Sequence, residues 1–499
     1  MVRSPERVPG KPRRLLYAGV ALAGVTLSVV GSAAFVGGEV VSRMSSQTAA
    51  LAQLVPGMKL EEEVERGVFR STRTVTLQVG CAPLPGDARG VGRAPPLVLR
   101  WHDDIQHGPF PGGTGFGVAV IDSRLTVEGA LAERAKQLFG EQPPLRAHSQ
   151  IGFGGSFASD VTIAAATFKR ATDEVLFSGV TGRVAGRFPM AKGTLRYTWS
   201  EAPLSLRASS PEVRLELALG AVDVSSDVEI DPDQPRLLVP FRGDANIETL
   251  RLTTTAPTAA GAPPVPFEVV LSKVKAKSMS TLDKGLFTLT HDTVGVLDFN
   301  GFKVDKFELG SSLRRLHAST YAKLLHELID LSFSCEKKID DPIAALPALA
   351  DTAFELLPHD PEYGLGPIAI ELDGKRAEVS YSVGTRGVTL HDKGVPMAAL
   401  LAQKAVARAE AKAHLAVIDE VARVVGKALA ATDPSGAQTP AGMPDPTALV
   451  ARAMVDKFVS QGYLVREGDV VHSAIESVAG ELKLNGKPFA MPDLGFGGP

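Results

Sequence analysis

The stretch TVTLQV at residues 74–79 decides the fold. Val75, Leu77 and Val79 alternate with Thr74, Thr76 and Gln78. A period of two sends successive side chains to opposite faces, so this is a strand with one covered and one wetter face. The same period recurs outward from it. Leu97, Leu99 and Trp101 alternate with Val98 and Arg100; Val213, Leu215, Leu217 and Leu219 alternate with Arg214, Glu216 and Ala218; Phe287 and Leu289 alternate with Thr288 and Thr290. Turn residues separate such runs, as at Pro85-Gly86-Asp87, Asp231-Pro232-Asp233, Asn300-Gly301 and Asp373-Gly374-Lys375. The pattern predicts an α+β fold in which a large, mainly antiparallel β meander over 66–310 carries helices packed on it.

Helical spacing interrupts the meander. Leu131, Ala135 and Leu138 share a face near 129–140, and Leu324, Leu325, Leu328 and Leu331 form a stripe within 314–334. A helix near 342–356 follows, then strands at 367–372 and 376–383. The alanine-rich run from about 396 to 431, with Ile418, Val421, Val425 and Leu429 on one side, reads as one long helix. A Pro-, Gly- and Ser-rich link (433–446) and a helix (447–461) complete a helical region over 396–463. A hairpin and tail occupy 464–499, with the turn Leu484-Asn485-Gly486-Lys487. The β-rich domain then spans 66–395. Before it, 39–65 reads as a short helical stalk, with Leu51, Leu54, Val55 and Met58 at helical spacing and Glu61, Glu62, Glu63 and Glu65 as a solvated face.

The chain has 499 residues, 44% of them hydrophobic and 22% charged, enough for more than one packed domain and too apolar for general disorder. Two cysteines, Cys81 and Cys335, exclude a disulfide-stapled scaffold. The net charge is −3. Residues 1–14 carry Arg3, Arg7, Lys11, Arg13 and Arg14 against Glu6 alone, so the remainder is acidic. An acidic body excludes a nucleic-acid partner, which needs a basic surface to displace counterions.

Residues 15–38 (LLYAGVALAGVTLSVVGSAAFVGG) contain no charge. As a helix they would span about 36 Å, enough for a hydrocarbon core of ~30 Å. The basic flank lies before them, which places a cytoplasmic segment at 1–14 and exports the rest. The expectation is a single-pass membrane protein with its body outside the cytoplasm. Ser32-Ala33-Ala34 offers small residues to a signal peptidase, so a cleaved signal is the competing reading. Both readings export the body, where Cys81 and Cys335 either pair or stay as buried thiols.

Scattered motifs resemble the YdgA-like family of bacterial envelope proteins, whose biochemical function is undefined. They are Glu65-Arg66-Gly67-Val68-Phe69-Arg70-Ser71, then His107-Gly108-Pro109-Phe110-Pro111, then Gly480 to Pro488 (GELKLNGKP, with Asn485-Gly486). Their order and spacing agree with the family over nearly the whole chain. The resemblance implies an inner-membrane anchor and a β-rich periplasmic body, and it supplies no catalytic residues. Physically, Gly67, Gly108-Pro109 and Asn485-Gly486 are backbone devices that shape a sheet.

Catalytic signatures are sparse. Trp101-His102-Asp103-Asp104-Ile105-Gln106-His107 is the most suggestive run, since an Asp beside a His can orient an imidazole or help bind a metal. On a strand it places Trp101, Asp103, Ile105 and His107 on one face and His102, Asp104 and Gln106 on the other, which splits the histidines. His326-Glu327 lacks a second His for zinc, Gly154-Gly155-Ser156-Phe157-Ala158 lacks the last Gly of a nucleophile elbow, and Ser272-Lys273-Val274-Lys275 falls in a strand. No phosphate-binding loop is present, so neither a cofactor nor a nucleotide is expected. Two functions remain. One is a non-enzymatic envelope protein that binds or scaffolds through its sheet, with lipid in an apolar groove unless helices cover that face as core. The other is an exported hydrolase using His102, Asp104 and His107.

Overall fold

A computed structural model describes residues 44–45, 48, 58–67, 70–79, 96–107, 111, 116–170, 172–189, 192–210, 213–230, 238–256, 265–333, 346–432, 446–478 and 480–489. The segments 1–14 and 15–38, the residues Cys81 and Cys335, and most of the 433–446 link lie outside the described residues.

The alternating runs form one antiparallel sheet. Its amino-terminal strands are β1 (Met58–Arg66), β2 (Arg70–Val79), β3 (Leu97–His107), β4 (Ala119–Glu128), β5 (Leu145–Ile151) and β6 (Ser156–Ile163), each paired with the next. Strands β7 (Ala166–Arg170) and β8 (Asp173–Phe177) leave this order, and β6 pairs instead with β9 (Val180–Arg187). The path continues through β10 (Gly193–Glu201). Strands β11 (Leu204–Ser209) and β12 (Arg214–Leu219) branch off to β8, whereas β13 (Val222–Ile230) joins β10. The branches meet on β14 (Phe241–Ala256), whose first half pairs with β13 and second half with β12. Four long strands follow in sequence: β14, β15 (Val265–Asp283), β16 (Leu286–Phe299) and β17 (Phe302–His317). Then come β18 (Glu362–Leu372), β19 (Lys375–Thr385), β20 (Ala405–His414), β22 (Val470–Val478), β23 (Glu481–Leu484) and β24 (Lys487–Pro488), with β21 (Val465–Glu467) beside the start of β22. Two-residue loops at Asn300-Gly301, Asp373-Gly374 and Asn485-Gly486 have both residues at positive φ, as the turn chemistry requires.

The inner face of the amino-terminal strands holds the main core. Val75, Leu77, Leu99, Trp101, Leu125, Leu145, Phe157, Val161 and Val184 are buried there, with Leu195, Tyr197 and Trp199 of β10 against them. Further along the same face, Ile105, Ile121, Ile151, Val118 and Ala119 enclose Met44, which is helical and fully buried.

The helices are α1 (Ala132–Phe139), α2 (Ala318–Phe333), α3 (Leu346–Phe354), α4 (Met397–Lys404), α5 (Leu415–Thr432) and α6 (Pro446–Ser460). Near α2, Tyr321 and Leu324 pack with Phe287, Leu316 and Leu356. Helix α5 lays Val417 and Val421 over Val304, Leu297, Ile370 and Leu372, and α6 brings Val455 and Val459 onto Leu415 and Val471.

Two sequence expectations are corrected. The helical stalk over 39–65 ends early: 58–66 is strand β1, where Leu60, Glu62 and Val64 turn inward while Glu61 and Glu63 face water. The helical region over 396–463 is divided, because 405–414 is strand β20, hydrogen-bonded on both edges to β19 and β22. The boundaries at 66, 396 and 464 therefore cut through one continuous sheet. The meander also extends past 310, since β17 continues to His317 before α2 begins.

Candidate ligand groove

The residues singled out for chemistry are not assembled into one centre. His102, Asp104 and His107 lie on β3 as the alternation requires, and each goes to a different partner on β2. His102 Nδ1 is 3.2 Å from Thr74 Oγ1. Asp104 accepts Arg70 through both oxygens, with Nε–Oδ1 at 2.6 Å. His107, on the opposite face, places Nε2 2.8 Å from Ser71 Oγ. The carboxylate is thus held by a guanidinium and does not orient an imidazole. Ser272-Lys273 lies in β15 at a register shift, and Gly152–Gly155 form the β5–β6 turn. No group of three or more metal-ligating side chains occurs among the described residues.

The motif residues act on the backbone. The Ser71–His107 bond joins two of the quoted motifs across β2 and β3. A Cβ at Gly67 would sit 2.4 Å from Arg70 O, next to Arg66 at the β1–β2 turn. Asn485 accepts from Ala474 N (2.9 Å) and donates to Gly462 O (3.1 Å), so it ties the last hairpin to β22 and to the end of α6. Phe69, Gly108 and Pro109 lie outside the described residues.

One polar feature was not singled out from the sequence. Arg73 and Asp103 are buried on the inner face, Nη1–Oδ2 3.0 Å apart. Asp103 also accepts from Trp101 Nε1 (2.5 Å) and Ser123 Oγ (2.6 Å), and Arg73 also binds Glu62 Oε1 and Thr48 Oγ1 (both 2.5 Å). The available signal was parity: Arg73 sits in phase with Val75 and Leu77, and Asp103 with Trp101 and Ile105, where apolar residues belong.

The carboxy-terminal strands carry an exposed apolar surface. Their two faces differ sharply. On one, Arg376 bridges Glu308 (2.6 Å) and Glu378 (2.8 Å), and Arg408 pairs with Glu476 (3.0 Å). Hydrogen bonds from Arg376 and Lys306 lower the Glu308 carboxyl to about 2, and the Arg376 guanidinium is correspondingly raised. On the other face the cross-strand rows are apolar across β18, β19 and β20, with Ser473 and Ser477 beside Ile475 on β22. Leu309 faces Ile368, which faces Val379 and then Ala411; Leu365 faces Tyr381, Ala409 and Ile475 in turn; Tyr363 faces Val383 and then Ala407.

Among the described residues, helices cover this apolar face only at its ends. The core around Phe287 and Leu316 closes one end, and α5 and α6 close the other. In between, Leu309, Ile368, Val379, Tyr381, Val383 and Ile475 remain 37–46% exposed. Along the middle runs β20, with alanine at 405, 407, 409, 411 and 413 on the apolar face and Arg408, Glu410 and Lys412 on the other. Alanine ends at Cβ, so this strand is a low strip between the taller residues of β19 and Ile475 of β22. At about 4.8 Å per strand spacing and 3.3 Å per residue, the furrow is about 10 Å between its flanking strands and about 20 Å long from Ala405 to Ala411, before Ala413 passes under the helices. It offers hydrocarbon contact and no charged side chain.

Comparison with known proteins places this geometry in context. DUF945, a family described as bacterial protein of unknown function, matches residues 13–492. Protein YdgA of Escherichia coli strain K12 is 28% identical over 169 residues, which are 31% of this chain and 33% of that protein. The aligned part is thus a third of the length of that relative. No solved structure matches.

Proposed function

From the premise that this chain belongs to DUF945, a bacterial family of unknown function, and is YdgA-like, we propose that it is an envelope protein that holds the hydrocarbon chain of a lipid-like amphiphile in the β20 furrow. The observation that carries this reading is the open apolar middle of the sheet, bounded by helices at both ends and backed by a charged face. Soluble sheets bury such a face, and a contiguous exposed apolar strip marks a binding surface. Each methylene withdrawn from water contributes about 0.8 kcal/mol, so a long chain lying along the furrow would be held firmly. The body sits at the periplasmic side of the inner membrane, anchored through residues 15–38; the charge-free length of that segment and the basic residues before it support this placement.

The test compares lipid retained by the full chain and by Ala409→Trp, which fills the furrow. Both proteins are purified in detergent and their extracts measured by mass spectrometry. Wild type is expected to retain a lipid that the variant lacks. Equal recovery from both, with both folded by circular dichroism, would overturn the reading.

A further inference from the structure

We infer that Phe116 and Phe153 form an aromatic foot that enters the membrane interface beside the emerging anchor. The two rings lie side by side, centroids 4.8 Å apart, and are 73% and 52% exposed. They stand at one end of the amino-terminal sheet, Phe116 just before β4 and Phe153 in the β5–β6 turn.

Their display is built into the backbone. Gly154 and Gly155 have φ of +81° and +82°, and a Cβ at Gly155 would lie 2.5 Å from Phe188 O. Next to Phe116, a Cβ at Gly117 would lie 2.9 Å from Ile151 O, and Val118 N donates to Ile151 O at 2.7 Å. Phe153 is therefore carried on a tight turn, and Phe116 is joined directly to the Gly117–Val118 contact with the end of β5, so both rings stand at the rim of the sheet.

The amino-terminal segment points to the occupant. Met44 is buried among Ile105, Ile121, Ile151 and Val118, at the base of these two turns. Thr48, one helical turn later, reaches Arg73, farther along the inner face. The chain thus enters the sheet from the end that bears Phe116 and Phe153. Only residues 39–43 separate Gly38, the last of the charge-free segment, from Met44, a reach of at most about 22 Å even when fully extended. On the anchor reading, a bilayer segment ending at Gly38 lies within that reach of this end. Arg66 and Arg187, both exposed, terminate β1 and β9 at the same end, where cationic side chains complement anionic headgroups. Aromatic rings with cations at the same end of the sheet suit the headgroup layer, where an apolar body and a wet rim coexist.

The inference rests on the anchor reading, and the test separates the two. Full-length protein is reconstituted in vesicles of phosphatidylethanolamine and phosphatidylglycerol with brominated acyl chains, which quench tryptophan on contact. Val25→Trp reports the anchor, Phe153→Trp the foot, and Ala130→Trp the opposite end of the sheet; Trp101 and Trp199 set the wild-type baseline. The expected result is loss of the added emission for Val25→Trp and Phe153→Trp and none for Ala130→Trp. Quenching of Val25→Trp with Phe153→Trp no more quenched than Ala130→Trp overturns the aromatic foot alone. No quenching of Val25→Trp overturns the anchor and the foot together.

Discussion

Arg73 Nη1 lies 3.0 Å from Asp103 Oδ2, and both side chains are almost wholly withdrawn from solvent. The pair crosses from β2 to β3 between two apolar clusters. Its remaining hydrogen-bonding groups are met by Glu62, Thr48, Trp101 and Ser123. A buried ion pair contributes little over a hydrophobic substitute, yet losing one member strands the other. Asp103→Ala is expected to lower unfolding stability by about 3–5 kcal/mol. Urea denaturation of the full chain in detergent, followed by circular dichroism, measures it; an unchanged midpoint would show that the pair is dispensable.

Met44 extends the same core to the amino-terminal segment. It is fully buried with Ile105, Ile121 and Ile151. Met44→Ala should cost about 2–5 kcal/mol, as large-to-small changes do in sealed cores. The same denaturation curve reads it. A cost near zero would mean that the segment does not dock in solution.

Val383 offers the opposite expectation. It lies on the β19 wall of the furrow, 46% exposed, whereas Val304 under α5 is buried. Val383→Asp should change stability by no more than about 0.5 kcal/mol while reducing lipid retention, because it touches the surface and not the core. Val304→Asp should destabilise the fold by several times as much. Thermal melts paired with lipid extraction separate the two outcomes.

Glu308 sets an acid dependence. Its folded value of about 2 lies below the ordinary carboxylate value of 4.5 because Arg376 and Lys306 hydrogen-bond to it. A depressed value means that its stabilisation is complete above pH 4.5 and is lost as pH falls towards 2. The amount is about 1–3 kcal/mol after allowance for its partial exposure. Glu308→Gln should flatten the denaturation midpoint across that window and leave its pH dependence above pH 5 unchanged.

His359 acts in a higher window. Its ring stacks on His317, centroids 4.1 Å apart and nearly parallel, and burial followed by the charge of His317 lowers its value below 6.5, opposed by Asp360. The unfolded chain then takes up the proton first. Stability is complete above about pH 6.5 and declines as pH falls through the folded value. His359→Gln should remove this decline, visible as a smaller loss of melting temperature between pH 7 and pH 5.

Strand β20 shows how a legible signal was outweighed. Residues 405–413 place alanine at every odd position and Arg408, Glu410 and Lys412 between them, a strict period of two. Alanine's high helix propensity argued the other way, and propensity is a weak preference beside two hydrogen-bonding strand edges. Strand β1 repeats the case: Leu60, Glu62 and Val64 alternate with Glu61, Glu63 and Glu65, although four acids in five residues look like a solvated cluster. The His102–Asp104–His107 run was legible only as two faces of a strand. Which partner each side chain meets depends on the register of β2 against β3.

By itself, the sequence determined the alternating strands, the two-residue hairpins at Asn300-Gly301, Asp373-Gly374 and Asn485-Gly486, and the charge-free stretch ahead of an acidic body. These follow from sterics and solvation acting within a few residues. Only the tertiary structure decided that Arg73 meets Asp103, that the alanines of β20 lie between β19 and β22, and that the helices leave the middle of the apolar face open. Those outcomes depend on which distant strand edges pair and where the crossing helices come to rest. Pairing and docking are set by contacts tens to hundreds of residues apart, and no local period records them.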